Sequence, residues 1–164
     1  MNTSFVLTSN AFADGEMIPL RYTCDLAKQE GGMHDMSPAL SIQGVPPGTK
    51  SLTLIMDDHD VPKVLRPSGV FDHWVLFNIS PATHAIPEGG SAGTTGVNSA
   101  GTNMYRSPCP PAQYEPSEHR YVFTLYALDT ELPLERGATK DAVISAMQGH
   151  IIAQTQLIGR YKRK

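Results

Sequence analysis

Residues 119–129 read HRYVFTLYALD, and the run YVFTLYAL within them (121–128) is apolar on both faces of an extended chain. A short apolar run rich in aromatic and branched side chains predicts a buried β-strand. Two further runs have the same character, residues 51–56 (SLTLIM) and residues 74–79 (WVLFNI). Strands that are buried on both faces belong to a central sheet with a covering layer on each side. The chain is therefore predicted to be mainly β.

One helix is predicted near the C-terminus. Thr139 is the predicted N-cap, and Asp141 lies in the first turn, where the helix dipole favours an anion. Apolar residues then recur with helical spacing at Ala142, Val143, Ala146, Met147 and Ile151. Gly149 is predicted to end the helix, although a glycine inside it is an alternative. Residues 4–8, 37–42 and 154–161 are predicted to be extended.

The rest of the chain is predicted to be loop. With 13 prolines and 14 glycines, the sequence favours short elements joined by many turns. Residues 25–36 are polar and contain Gly31-Gly32, which predicts a loop. Residues 86–116 show little periodicity and many small polar residues. A stretch of this length inside one domain is usually a functional loop.

Length and charge limit the class of protein. A chain of 164 residues is predicted to be a single domain, residues 1–164. A net charge of −3 gives no general case for binding nucleic acid. No stretch approaches the ~20 apolar residues that a membrane span needs, and residues 1–8 lack the features of a signal peptide. A cytoplasmic location is expected. Because thiols stay reduced there, Cys24 and Cys109 are expected to be free.

Four segments carry acids, histidines or proline turns at the ends of the apolar runs: residues 58–62 (DHDVP), 71–74 (FDHW), 107–111 (SPCPP) and 119–121 (HRY). Side chains at strand ends can converge on one cleft although they are far apart in sequence. The combination indicates a pocket for a small anion or phosphate. The proline segment is predicted to be a rigid wall, because proline locks φ and lacks an N–H donor.

Several chemical roles are open for these residues. Asp58 and Asp60 could act together in acid–base catalysis or bind a metal with histidines; alternatively, Asp60 caps the turn before Pro62. His73 and His119 are either structural residues or phosphate ligands. If protonated imidazole contributes, anion binding should weaken above pH ~7.5. No zinc motif accompanies these residues, and no metal is expected.

The order of these motifs resembles the phosphatidylethanolamine-binding protein family, above all its bacterial, Raf kinase inhibitor-like branch. The resemblance rests on D-x-D-x-P, H-W, P-C-P-P and H-R-Y-x-F-x-L-Y-A-L-D in that order, and on matching segments from Ile18-Pro19 to Tyr161. It implies a β-sandwich with a large central sheet and an anion cavity. By motif position, the ligand-binding residues would be Asp58, Asp60, His73, Pro108, His119 and Tyr121. The segments that contain Cys24 and Cys109 would both approach the cavity, so the thiols are expected to be unbonded neighbours.

Some positions depart from the family pattern. His59 stands where the family usually has proline, and Ser107 stands where it has glycine, which adds a side chain at the pocket rim. Residues 26–36 form a longer segment than usual, and residues 112–118 lack the usual glycine. These changes affect the shape of the pocket and its choice of ligand.

Three classes of function are compatible with these residues. The first is non-enzymatic binding of a phosphate-bearing small molecule or lipid head group, which the resemblance favours. The second is a hydrolase that uses the Asp/His cluster. The third is a regulatory protein that inhibits a kinase or protease through protein contacts, and a homodimer is left open. No recognisable nucleophile motif is present, so no catalytic residue and no cofactor are expected.

Overall fold

The computed structural model describes residues 4–29 and 35–163. Within them lie eight strands, two α-helices and one short 3-10 helix (Leu20–Tyr22). The strands are β1 (Val6–Thr8), β2 (Leu40–Gln43), β3 (Ser51–Asp58), β4 (Phe71–Ile79), β5 (Ala85–Ile86), β6 (Thr94–Thr95), β7 (Glu118–Leu128) and β8 (Ile151–Lys162). The α-helices are α1 (Cys24–Gln29) and α2 (Lys140–Met147). The predicted mainly β fold with one main helix near the C-terminus is confirmed.

The strands form two antiparallel sheets. The smaller sheet has the order β1-β2-β5, and the larger sheet has the order β6-β4-β3-β7-β8. The three apolar runs of the sequence are the central strands β4, β3 and β7 of the larger sheet. In the described part of the chain, no helix has the length and apolar character that crossing a membrane requires.

Each face of the larger sheet is covered by a different layer. Alternate residues of β3, such as Leu54 and Met56, pack with Leu40 and Ile42 of the smaller sheet. The residue between them, Ile55, joins a second cluster on the opposite face. This cluster includes residues of α2 such as Val143 and Met147. Burial of both faces, predicted from the apolar runs, is confirmed.

Helix α2 begins where the sequence predicted. The side chain of Thr139 accepts a hydrogen bond of 3.2 Å from the backbone N–H of Ala142, so Thr139 is the N-cap. The helix ends at Met147, and Gly149 follows with a φ of 80°. Ile151, predicted to lie on the helical stripe, is instead the first residue of β8 and is 46% exposed.

The loop predicted for residues 25–36 is wrong in its first part, because residues 24–29 form α1. The polarity that suggested a loop reflects contacts with β8: the Asp25 carboxylate accepts hydrogen bonds from the Tyr161 hydroxyl (2.5 Å) and from Arg163 Nε (3.3 Å). Gly31-Gly32 lies outside the described residues. The central strands also extend further than predicted, so that Asp58, His73 and His119 lie within strands.

A bulge in β4 places His73 on the face that carries the smaller sheet. Met56 pairs with Trp74, but the next residue of β3, Asp57, pairs with Asp72, which leaves His73 as an extra residue. A bulge interrupts strict alternation, so two consecutive side chains can point to one side. Trp74 lies in the core between the sheets, and His73 contacts Tyr121 on the same side.

Asp72, on the other side of the bulge, faces α2. Lys140 Nζ lies 2.6 Å from Asp72 Oδ1 and 3.3 Å from Asp57 Oδ1, so one ammonium group holds two carboxylates on adjacent strands. Burial and the negative charge of Asp72 raise the pKa of Asp57 to about 7, although Lys140 opposes this rise. Asp57 therefore holds its proton more tightly in the folded protein than in the unfolded chain.

The raised pKa of Asp57 predicts a pH-dependent stability. Stabilisation from the tighter proton is complete below the unfolded pKa near 4 and is lost as the pH rises towards about 7. We expect the free energy of unfolding to fall over this window by roughly 1–3 kcal/mol. Asp57→Asn should flatten the fall, because the amide is neutral throughout. Denaturant unfolding, carried out at several pH values across this window, measures the fall in the free energy of unfolding.

Glu135→Gln is the matched control, since Glu135 is an exposed carboxylate in the loop before the same helix. This variant should keep the slope of the unmodified protein. If Asp57→Asn kept that slope as well, the assignment of the pH dependence to Asp57 would be wrong.

Candidate functional site

A cavity of about 250 Å³ opens at the ends of β3, β4 and β7, on the face towards the smaller sheet. Its polar lining residues come from these strands and from the loop before β7: Asp58, His73, Arg106, Ser107, His119 and Tyr121. Its other lining residues are Val61, Leu65, Phe71, Cys109, Pro110 and Pro111. The strand ends that the sequence predicted to converge therefore do converge.

Asp58 and His119 form a buried pair on adjacent strands. His119 Nδ1 donates a hydrogen bond of 2.6 Å to Asp58 Oδ2, and the histidine side chain is fully buried. Burial lowers the pKa of His119, but the hydrogen bond and charge of Asp58 and the charge of Asp60 outweigh it, so the pKa lies above its usual value. The Pro116 carbonyl lies close enough to the ring to add to this rise, but it does not meet hydrogen-bond geometry with His119 Nε2, which has no hydrogen-bond partner among the described residues.

His73 is in a different protonation state. Its Nδ1 lies 2.7 Å from the backbone carbonyl oxygen of Arg106. A carbonyl oxygen can only accept a hydrogen bond, so Nδ1 carries the proton. Burial lowers the pKa of His73 to about 4, although this hydrogen bond and the charge of Asp58 oppose the shift. The ring is therefore a neutral imidazole near pH 7, and protonated imidazole at this site can come only from His119.

Three buried polar atoms around the cavity have no partner among the described residues: Ser107 Oγ, His119 Nε2 and Tyr121 Oη. Burial raises the pKa of Tyr121, which keeps its hydroxyl protonated and able to donate. Leaving a buried donor without a partner costs about 1–3 kcal/mol. All three groups lie beside one cavity, where each could donate a hydrogen bond to an acceptor atom.

Two of the predicted site residues lie outside the lining of the cavity. The carboxylate of Asp60 accepts hydrogen bonds from the backbone N–H (2.8 Å), Nε (2.9 Å) and Nη2 (2.7 Å) of Arg120. These bonds lower the pKa of Asp60, and they differ from the turn cap that was the alternative. Pro108 precedes Cys109, and its carbonyl accepts a hydrogen bond of 3.1 Å from Cys24. The ligand-binding roles of all six predicted residues remain predictions.

Two of the lining residues, Leu65 and Arg106, lie outside the four segments that the sequence indicated, whereas Val61 and Phe71 lie inside them. Arg106 Nη1 lies 3.2 Å from Asp35 Oδ2, and the backbone N–H of Ser107 donates to the same carboxylate at 2.9 Å. Asp35 thus anchors the loop before the proline segment. The position of Arg106 next to that segment was a signal that could have identified it. Among the described residues, no group of three histidine, cysteine or acidic side chains is placed to hold a metal ion.

Known proteins resemble this chain over nearly its whole length. The family model of the phosphatidylethanolamine-binding proteins matches residues 8–162. A UPF0098 protein of Methanothermobacter thermautotrophicus is 45% identical over 164 residues, covering 96% of this chain and 98% of the relative. A UPF0098 protein of Chlamydia muridarum is 42% identical, with the same coverage.

Solved structures of proteins from the same family are also similar to this chain. The crystal structure of CT736, a phosphatidylethanolamine-binding protein homologue from Chlamydia trachomatis, is similar over 100% of both chains, with a TM-score of 0.88 and 41% identity. Escherichia coli YbcL shares the fold, with a TM-score of 0.81 and 24% identity over 99% of this chain and 100% of YbcL. The chain belongs to the phosphatidylethanolamine-binding protein family.

The two cysteines are joined, so the prediction of free thiols was wrong. Cys24 and Cys109 form a disulfide with their Cα atoms 5.4 Å apart. The expectation that they are neighbours is confirmed. The free-thiol prediction rested on an inferred reducing compartment, whereas the bond follows from the hydrogen bond between Cys24 and Pro108, which brings α1 against the proline segment. The disulfide therefore fixes one wall of the cavity to the start of α1.

The disulfide predicts two measurements. Thiol titration of the denatured protein without reductant should detect no thiol, and titration after reduction should detect two. Because the bond links residues 85 apart in sequence, reduction should lower the free energy of unfolding by roughly 2–5 kcal/mol. The Cys24→Ser, Cys109→Ser double variant is the control, since a reductant should leave its stability unchanged. Two thiols detected before reduction would contradict the bond.

Proposed function

We propose that this protein binds a phosphate-bearing small molecule or head group in the cavity at the ends of β3, β4 and β7, without catalysing its reaction. The observation that carries the proposal is the set of three unpartnered buried groups, Ser107 Oγ, His119 Nε2 and Tyr121 Oη, around one cavity. Phosphate oxygens are strong acceptors and can satisfy several converging donors at once. The family's name, phosphatidylethanolamine-binding protein, also describes a ligand that carries a phosphate group.

Electrostatics supports an anionic ligand. The raised pKa of His119 favours the imidazolium form, which places a positive charge beside the cavity. Asp58 orients this ring through the bond to Nδ1 and leaves Nε2 for a ligand. A charged donor forms a stronger hydrogen bond to phosphate than a neutral donor does. His119 is therefore the expected centre of affinity.

The same geometry argues against hydrolysis. A hydrolase needs a nucleophile that a base can activate. The hydroxyl of Ser107 has no hydrogen-bond partner among the described residues, and Cys109 Sγ is committed to the disulfide. The carboxylate of Asp58 already accepts hydrogen bonds from His119 and from the backbone N–H of Asp60 (2.9 Å). Each candidate for covalent or base catalysis thus has a binding or structural role instead.

The test is titration with inorganic phosphate, followed by calorimetry or by amide chemical shifts. We expect saturable binding that His119→Gln weakens about ten- to hundredfold, which is the effect of losing one charged hydrogen bond. His150→Gln is the matched control, because His150 forms a similar bond of 2.7 Å to Asp129 but is exposed on the surface. This variant should bind as the unmodified protein does.

Two outcomes would contradict the proposal. Phosphate affinity that His119→Gln leaves unchanged would place the site elsewhere. Saturable release of phosphate from a simple ester, abolished by Asp58→Asn, would show that the cavity is an active site.

A further inference from the structure

We propose that the cavity selects a phosphate monoester in its singly protonated form over a phosphodiester of the same charge, and that His73 is the residue that determines this choice. The inference rests on the proposed function and narrows its ligand class to phosphate monoesters. Phosphatidylethanolamine, the ligand in the family's name, carries a phosphodiester and lies outside this narrower class. It follows from the hydrogen-bonding roles around the cavity, because the polar groups there include acceptors as well as donors.

The tautomer of His73 is determined by its surroundings. Nδ1 carries the proton and donates a hydrogen bond to the Arg106 carbonyl at 2.7 Å, so in the neutral ring Nε2 carries a lone pair. Among the described residues, no group donates a hydrogen bond to Nε2. The charged groups around the ring are Asp58 and Asp72, which favour its protonation, and Arg106, which opposes it. Burial outweighs them and keeps the ring neutral, so His73 can accept a hydrogen bond from a ligand but cannot offer a second donor.

Asp58 is a second acceptor at the cavity. Its two oxygens receive hydrogen bonds from His119 and from Asp60, and it carries negative charge. An anionic ligand oxygen beside this carboxylate is repelled unless a proton lies between the two groups. A ligand that carries a P–OH group supplies that proton, whereas a fully ionised ligand does not.

The charges of the cavity favour a ligand with one negative charge. The imidazolium of His119 is paired with Asp58, and Arg106 is paired with Asp35. Each positive group that lines the cavity already faces a carboxylate, so a second negative charge on the ligand meets no further cation among the lining residues. A singly charged phosphate monoester has the single negative charge and the P–OH donor that the cavity favours. Its ionised oxygens face His119, Ser107 and Tyr121, and its P–OH donates a hydrogen bond to the acceptors, His73 and Asp58.

A comparison of methyl phosphate with dimethyl phosphate separates the effect of the ligand's P–OH donor from the effect of its charge. Phosphate monoesters have a second pKa of about 6, so at pH 5.5 most methyl phosphate carries one negative charge and one proton. Dimethyl phosphate also carries one negative charge but has no proton to donate, and it does not titrate near neutral pH. Comparing the two ligands at one pH therefore measures the contribution of the donor at nearly constant ligand charge.

The experiment measures the affinity of the intact protein for both ligands at pH 5.5 and 7.5. We expect methyl phosphate to bind at least about tenfold more tightly than dimethyl phosphate at pH 5.5. This ratio should fall by about tenfold or more at pH 7.5, as the monoester loses its proton. Titration of His119 changes the affinities for methyl phosphate and dimethyl phosphate in the same direction. The ratio of the two affinities therefore reports on the P–OH donor of the ligand.

His73→Phe tests the residue. Phenylalanine keeps an aromatic ring against Phe71 and Tyr121, whose ring centroids lie 4.7 Å and 5.2 Å from that of His73, but it has no acceptor. In the folded variant, confirmed by circular dichroism, the ratio at pH 5.5 should approach one through weaker binding of methyl phosphate. A ratio that stays high in this variant would overturn the assignment to His73.

The ligand comparison on the unmodified protein is decisive even if the variant does not fold. Equal affinities for the two ligands would overturn the inference and leave the proposed function standing. Absence of binding for methyl phosphate, dimethyl phosphate and inorganic phosphate alike would overturn both.

Discussion

Burial of both faces of the larger sheet is the constraint on which the rest of this structure depends. The smaller sheet covers one face and α2 covers the other, so the charged and histidine side chains of β3, β4 and β7 lie at the strand ends, outside the apolar middle of each strand. Antiparallel pairing brings the C-terminal end of β3 next to the N-terminal ends of β4 and β7. Asp58, His73 and His119 are therefore gathered at one edge by the same rule that buries the core.

The bulge at His73 divides the polar residues of this edge between the two faces. Asp57 and Asp58 are consecutive in β3 and alternate in the usual way, so Asp57 faces Lys140 and Asp58 faces the cavity. On β4 the extra residue lets His73 and Trp74 lie on the same side while Asp72 faces Lys140. The ion pairs on one face thus hold the backbone that carries the cavity residues on the other. A shift of one residue in β4 would exchange Asp72 and His73.

The sequence predicted what depends on local pattern and missed what depends on tertiary contact. The apolar runs identified the central strands, and Thr139 identified the start of α2, because both signals lie within a few residues. The bulge was not foreseen, since a period of two over FDHW does not show which residue is extra. Arg120, adjacent to two predicted site residues, engages Asp60, and no spacing rule reveals that choice. The disulfide was missed because a reducing compartment was expected, and that expectation came from the lack of signal-peptide features in residues 1–8. The pairing depends instead on the contact between α1 and the proline segment.

Because of the proline segment, the proposed binding cavity has to use side chains and not backbone N–H groups as donors. Pro108, Pro110 and Pro111 have no backbone N–H, and the disulfide holds Cys109 between them, so this wall offers few backbone donors. Many anion sites in proteins use backbone N–H groups, which accept any ligand with suitable oxygens. Here the polar groups around the cavity are side chains, and one neighbour sets which ring nitrogen of each histidine carries the proton. In the proposed site these proton positions decide which ligand fits, because Asp58 keeps a proton on His119 Nδ1 and the Arg106 carbonyl keeps one on His73 Nδ1.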